Sequence, residues 1–206
     1  EAVGLLRGPR QWGKRSLASI SMGQEVGVTP LQMVTAVSAI ANGGVLMKPF
    51  VVSEIRNAKG QLVAQTMPQA KRRVISADTA RTLTTLMEGV VTNGTGGKAA
   101  IPGFRVAGKT GTAQKVDPRT GAYSSTLLVG SFLGYVPAED PRLAMIVVID
   151  EPRGEDEFDL RRRVPRDVAR AHLREEGRRD VGGRRHAQRT GRHRAALRHI
   201  VEPFLQ

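Results

Sequence analysis

The stretch IPGFRVAGKTGTAQ, residues 101–114, admits two incompatible folds. Gly103 followed by Gly108-Lys109-Thr110 satisfies G-x-x-x-x-G-K-[ST], the loop that cradles phosphates in nucleotide hydrolases. The same residues also read as a β-strand carrying Lys-Thr-Gly-Thr along one edge. A phosphate loop needs a strand before its first glycine and a helix starting at its lysine. Here Gly94 to Ala100 precede it, without strand character, and the turn pair Asp117-Pro118 follows eight residues after Lys109. That leaves no room for the helix. Phe104-Arg105-Val106-Ala107, between the glycines, is strand-like. The run from Ala144 to Asp150-Glu151 mimics a Mg²⁺-positioning strand, so a nucleotide hydrolase stays as the alternative. The strand is the stronger reading.

On a strand, Lys109, Gly111 and Ala113 share one face and Thr110 and Thr112 the other. Lys109 supplies a fixed cation and the two threonines supply hydroxyls. Gly111 has no side chain, so another backbone can come close. Such an edge can take up an extended peptide by strand addition and grip its carboxylate.

The flanking sequence predicts an α+β order, helices followed by three antiparallel strands. Thr29-Pro30-Leu31-Gln32 is a helix start with a hydroxyl cap and a Gln at the third helical position. Leu31, Val34, Val37, Ser38 and Ala41 form its buried stripe, and Asn42-Gly43-Gly44 ends it. A second helix is expected from Asp78 to Val91, capped by Ser76, with Ala80, Leu83, Leu86, Met87 and Val90 inward. Asn93 to Gly97 then reads as a mobile loop. Strands are expected over Phe104–Lys115, Thr126–Val136 and Leu143–Ile149. The last is an unbroken apolar run of the kind buried on both faces. Short turns between them make an antiparallel meander.

Composition bounds the function classes. The chain has 206 residues, no cysteine and no apolar run long enough to span a membrane. Its net charge of +13 suggests a nucleic-acid binder at first sight. The charge is unevenly placed, however. Residues 1–152 hold 17 basic and 10 acidic residues; residues 153–206 hold 15 and 9, and all 15 are Arg. All four histidines lie there too, at spacings that suggest no metal site. Residues 153–206 are therefore expected to be a poorly ordered Arg-rich tail, such as a shifted reading frame would encode, with a weak helical stripe at Val164, Val168, Ala171 and Leu173. A basic binding module acting through this tail is the non-enzymatic alternative. No nucleic acid, cofactor or metal is expected.

Three blocks in order give the chain a family likeness. They are Met22 to Gln32 with Ile40 to Pro49; Met87 to Val91 with Gly94-Thr95-Gly96 and Ala107 to Gln114; and Gly130 to Pro137 with Val148 to Pro152. Over residues 12–152 the chain resembles the C-terminal part of the transpeptidase domain of class B penicillin-binding proteins. The resemblance implies a partial penicillin-binding, serine β-lactamase-like fold over residues 1–152. It also implies peptidoglycan D,D-transpeptidation by serine acyl transfer, outside the cytoplasmic membrane, with stem peptides and β-lactams as partners. Lys109 would organise charge around the nucleophile and the substrate carboxylate. Thr110 and Thr112 would bind that carboxylate, with Gly111 keeping the approach open. The Thr112 N–H would supply half of an oxyanion hole.

The family's Ser-x-x-Lys and Ser-x-Asn motifs occur nowhere in the 206 residues. Ser53 comes nearest, with Arg56 three residues on. Both motifs, the first strands of the sheet and the membrane anchor are expected upstream of Glu1. The closing helix expected after Glu151-Pro152 has only an echo in Val164 to Ala169. As it stands the chain is expected to lack the chemistry, and a half-sheet is expected to leave Leu143–Ile149 on an edge, which favours aggregation. Ser124, Ser125 and Ser131 have no base in sight and read as turn or packing residues. Trp12 reads as a packing anchor, and Lys14, Lys48 and Lys98 as solvated.

Overall fold

The structure, a computed structural model, describes residues 2–152 together with Asp167 and Ala169. Its centre is a three-stranded antiparallel sheet in the order β5-β6-β7: β5 Ala107–Val116, β6 Tyr123–Val136 and β7 Leu143–Asp150. This is the expected meander. Helices α2, Pro30–Ala41, and α3, Ala77–Thr92, pack on it, while the short α1, Ser16–Ser21, lies nearer the N-terminus.

Local chemistry explains both long helices. At the start of α2 the Thr29 hydroxyl accepts from the Gln32 N–H, and Gln32 reaches back to the Thr29 N–H. Two of the amides that a helix start leaves without intrahelical partners are thereby satisfied. Ser76 caps α3 by accepting from the Thr79 N–H. The buried stripe of α3 runs through Ala80, half-buried Leu83, Thr84 and Met87, and then Val91. Leu86, expected inward, is 63% exposed. The 3.6-residue repeat that turns Met87 toward the sheet carries its neighbour away from it.

The core has two clusters, one on each face of the sheet. Val34 and Val37 of α2 meet Ala107, Tyr135 and Ala144 on one face. Phe132, Val136 and Leu143 meet Val91, Ala99, Ile101, Val106 and Ala169 on the other. Asp167 and Ala169 are helical, and Ala169 is buried in this second cluster. The rest of the Arg-rich segment and its histidines, with the stripe Val164, Val168, Ala171 and Leu173, lie outside the described residues. Burial along strand β7 departs from expectation, whereas its place at the sheet edge is the expected one. Leu143 and Ala144 are buried, but Val148 is 43% exposed. Coverage on both faces reaches only its first residues, and among the described residues β7 is an edge strand.

Between α2 and α3 the chain forms two antiparallel ribbons that the sequence reading did not contain. One joins β1, Val45–Met47, to β4, Ala70–Arg73; the other joins β2, Glu54–Arg56, to β3, Leu62–Gln65. Gly44 makes their entry possible. Its φ is +93°, and a Cβ there would stand 2.1 Å from the Ile75 carbonyl oxygen. Only glycine fits both constraints.

Candidate active site

Strand β5 places Lys109, Thr110, Gly111 and Thr112 in sequence opposite Leu133, Phe132, Ser131 and Gly130 of β6. Among the described residues β5 has no partner on its other side, so these four lie on an open sheet edge. This settles the ambiguity of residues 101–114. No helix begins at Lys109; the strand runs on to Val116. The phosphate-loop alternative is overturned, because the fixed dipole that would hold a phosphate is missing.

Burial, rather than alternation, separates the four side chains, since Thr110 and Thr112 share a face but only Thr110 is covered. Lys109 and Thr112 are exposed and Gly111 is half-buried, whereas Thr110 is only 8% exposed. The Lys109 ammonium donates to the Thr110 carbonyl. The Thr110 hydroxyl shares a 2.7 Å hydrogen bond with that of Thr95. Of the two threonines, then, Thr112 presents itself to solvent and Thr110 is covered.

Glycines bring β5 and β6 close. A Cβ on Gly108 would lie 2.3 Å from the Phe132 ring, and one on Gly111 would lie 2.6 Å from the Ser131 hydroxyl. Gly111 is thus hemmed by its own partner strand on the side-chain side. Ser131 is a packing residue here, and Ser124, placed near the start of β6 rather than in a turn, accepts from the Thr126 and Leu127 amides through its hydroxyl.

Three contacts tie α3 and the loop after it to the sheet and to the segment that enters β5, none of them signalled by the sequence reading. Midway along α3, Thr84 and Tyr135 share a hydroxyl bond of 2.6 Å. Burial holds the Tyr135 phenol above its ordinary pKa; the Thr84 bond works against this and the Glu88 carboxylate adds to it. One turn further on, Glu88 takes a two-pronged contact from Arg105, at 2.7 and 2.8 Å, which raises the guanidinium pKa further. After its end, Thr95 reaches Thr110. The loop carrying Thr95 was expected to be mobile, yet it is pinned to the helix: the Gly96 N–H donates to the Val90 carbonyl at 2.9 Å. A threonine set among three glycines and an asparagine was the only available signal.

Beyond Thr112 the edge of β5 borders a groove of about 470 Å³ between Ala113-Gln114 and the N-terminal segment. Leu5, Arg7, Gln24 and Glu25 line its other wall. Leu5 is itself bridged to Gly27, with N···O distances of 2.6 and 2.9 Å. The groove therefore has extended backbone on both sides. At the far end of β5, Lys115 bonds Glu151 at 2.6 Å and Asp150 at 3.1 Å, and these contacts raise its pKa. Among the described residues no group of His, Asp or Glu could hold a metal ion.

Comparison with known proteins agrees with this architecture. The model of the penicillin binding protein transpeptidase domain matches residues 1–170. Stage V sporulation protein D of Bacillus subtilis is 42% identical over 159 residues, 77% of this chain and 24% of that protein. Penicillin-binding protein PbpB of Mycolicibacterium smegmatis is 36% identical over 160 residues, 74% of this chain and 24% of its own length. The chain thus spans about a quarter of the length of these curated relatives. The crystal structure of penicillin binding protein 3 from Mycobacterium tuberculosis, in its apo form, superposes with a TM-score of 0.77 at 30% identity, over 86% of this chain and 42% of that one. The same protein has been solved in complex with aztreonam and with ampicillin, each with a TM-score of 0.75 to this chain. An α+β order with Lys-Thr-Gly-Thr on an edge strand, matched by the domain model over most of its length, places this chain in the penicillin-binding protein transpeptidase family.

Proposed function

We propose that this chain supplies the substrate-gripping strand of a peptidoglycan D,D-transpeptidase, which cross-links stem peptides by serine acyl transfer and is acylated by β-lactams. The observation that carries this is the open edge of β5, with Lys109 and Thr112 exposed on it and a groove continuing past Thr112. Lys109 is the fixed cation for the nucleophile's hydrogen-bond network and the substrate carboxylate. The Thr112 N–H is one oxyanion donor, the nucleophile's own N–H being the other. Thr110, whose hydroxyl also meets that of Thr95, and the exposed Thr112 beside it are the side-chain contacts to the carboxylate. Gly111 and Thr110 contribute the backbone along which an extended stem peptide adds as a further strand. Its remote part would run into the groove beside Ala113 and Gln114.

The nucleophile is not assigned within this chain, whose sequence contains no Ser-x-x-Lys. The work place is the outer side of the cytoplasmic membrane, where peptidoglycan lies. No helix among the described residues is long and apolar enough to cross a membrane, so attachment to it would rest on other parts of the protein.

Labelling by a fluorescent penicillin tests the reading. The chain alone should form no boil-resistant adduct. Residues 1–152 grafted in place of the matching segment of the Bacillus subtilis relative should support labelling. Lys109→Ala in that graft should slow acylation by about 100-fold or more, the scale for loss of a group acting on the developing charge. A folded graft that labels equally well with and without Lys109 would sink it.

A further inference from the structure

The Thr95–Thr110 contact joins strand β5 to the loop after α3, as the Thr84–Tyr135 contact joins β6 to α3 itself. Strand β5 is held by β6 along one side only, and Lys109, Thr110 and Gly111 are at the middle of its paired length. The hydroxyl of Thr110 points into the face that carries Phe132, where Thr95 meets it at 2.7 Å. Each hydroxyl has one proton, so one donates and the other accepts, and both rotamers are fixed by the pair. At 8% exposure, Thr110 can take little from water in exchange.

Thr95 can act as a fixed point because its loop cannot easily shift. Asn93 continues the helical bonding of α3 by donating to the Gly89 carbonyl at 2.9 Å. A Cβ on Gly94 or Gly96 would stand 2.9 or 3.0 Å from the Val90 carbonyl oxygen, so this backbone lies directly on the last turn of α3. Past it, Ala99 and Ile101 are 1% and 4% exposed in the core under β5 and β6. The loop is fastened at both ends, and Thr95 is the hydroxyl it offers to the strand.

We infer that Thr95 is a positioning residue for the Lys-Thr-Gly-Thr strand: it anchors Thr110 from below and so fixes the backbone of residues 109–112 on the open edge. It touches no substrate. Its effect is to hold the Thr112 N–H and the Lys109 side chain in register with an incoming peptide. The inference rests on the proposed role of β5 as the substrate-facing strand, but the contact and its mechanical effect can be tested apart from that role.

Amide hydrogen exchange by NMR on the full chain is the test, with Thr95→Val, Thr95→Ser and Thr110→Val compared with the parent. Val keeps the shape of Thr without the hydroxyl, and Ser restores the hydroxyl. In T95V the protected amides among residues 109–113 should exchange about tenfold faster, the size of one hydrogen bond's net effect. Those of β7 should not change. T95S should return the parent rates, and T95V combined with T110V should be no faster than either alone, since both remove one contact. The inference is overturned if T95V leaves residues 109–113 unchanged, if T95S behaves as T95V, or if exchange rises equally through β6 and β7. Should T95V fail to fold, T110V and T95S carry the same comparison. Penicillin labelling plays no part in these outcomes, so failure of the functional reading would register separately.

Discussion

The three-stranded sheet and the paired ribbons between α2 and α3 are both antiparallel β-structure, yet they are stabilised differently. Strands β5 and β6 run 10 and 14 residues and carry a core cluster on each face. In the ribbons every residue of β2, β3 and β4 is exposed, and only Met47 of β1 is buried, beside α2. A two-stranded ribbon has no face to bury and is marginal alone. Pairing of backbone groups does not hold a strand in place; packing against a second layer does. The region that bears Lys109 to Thr112 has such a layer beneath it, and the ribbons do not.

The largest break in that contrast should come from Phe132. It is 2% exposed, lies opposite Thr110, and its ring fills the space left by Gly108. Phe132→Ala removes the side chain that spaces β5 and β6 on the face packed by Val91 and Ile101. The expected cost is about 3–5 kcal/mol, read as a lowered urea midpoint at unchanged slope. A loss below about 1 kcal/mol, the scale of a surface change, would mean that the sheet is held no differently from the ribbons.

How far this contrast could be read in advance depended on the kind of signal. Capping chemistry is local, so Thr29, Pro30, Gln32 and Ser76 marked both helix starts within a residue or two of where they stand. The meander followed from apolar runs punctuated by Asp117-Pro118 and Pro141. The edge position of Lys109 followed from what a helix at Lys109 would have required. Burial was less legible. The apolar run Leu143–Ile149 reads as doubly buried, but coverage depends on where α2 ends, and that is a tertiary fact. Leu86 was assigned inward on hydrophobicity although its angular place on α3 was outward. The ribbons were missed because Glu54–Arg56 and Ala70–Arg73 carry neither alternation nor an apolar run. In the site, Lys109, Gly111 and Thr112 were legible as a motif. The anchors Thr95, Thr84 and Glu88 were not, because each acts across the fold on a residue 15 to 51 positions away.

A smaller effect is expected where the middle of α3 meets the sheet. Thr84 donates its proton to the Ala80 carbonyl at 2.9 Å, so the Tyr135 phenol is the donor in their shared bond. Tyr135→Phe removes that donor and leaves the ring's packing intact. It should cost about 1 kcal/mol at neutral pH. The same phenol should make stability fall in alkali. Its folded-state pKa is raised by burial, so its contribution is fully present below the ordinary value of about 10 and is lost as pH rises through the folded-state value. Urea midpoints at neutral and at strongly alkaline pH should therefore converge more closely in Y135F than in the parent. Parallel alkaline losses in the two proteins would show that Tyr135 ionises as readily folded as unfolded.

The smallest effect is expected in the ribbons. Val63 is in the middle of β3, 64% exposed, next to Leu62 at 50%. Val63→Thr keeps the β-branched shape that suits a strand and exchanges one exposed methyl for a hydroxyl that water can serve. Stability should change by no more than about 0.5 kcal/mol, within the range of ordinary surface substitutions. Amide exchange at β2 and β3 should stay fast in both proteins, as only cross-strand pairing protects those amides and opening them exposes no core. A cost near that of Tyr135→Phe would mean that something covers this surface. Because the described residues place nothing over β3, the covering element would have to come from a partner or from elsewhere in the protein, and the apolar side chains of the ribbons, Ile55, Leu62 and Val63, would then mark an interface.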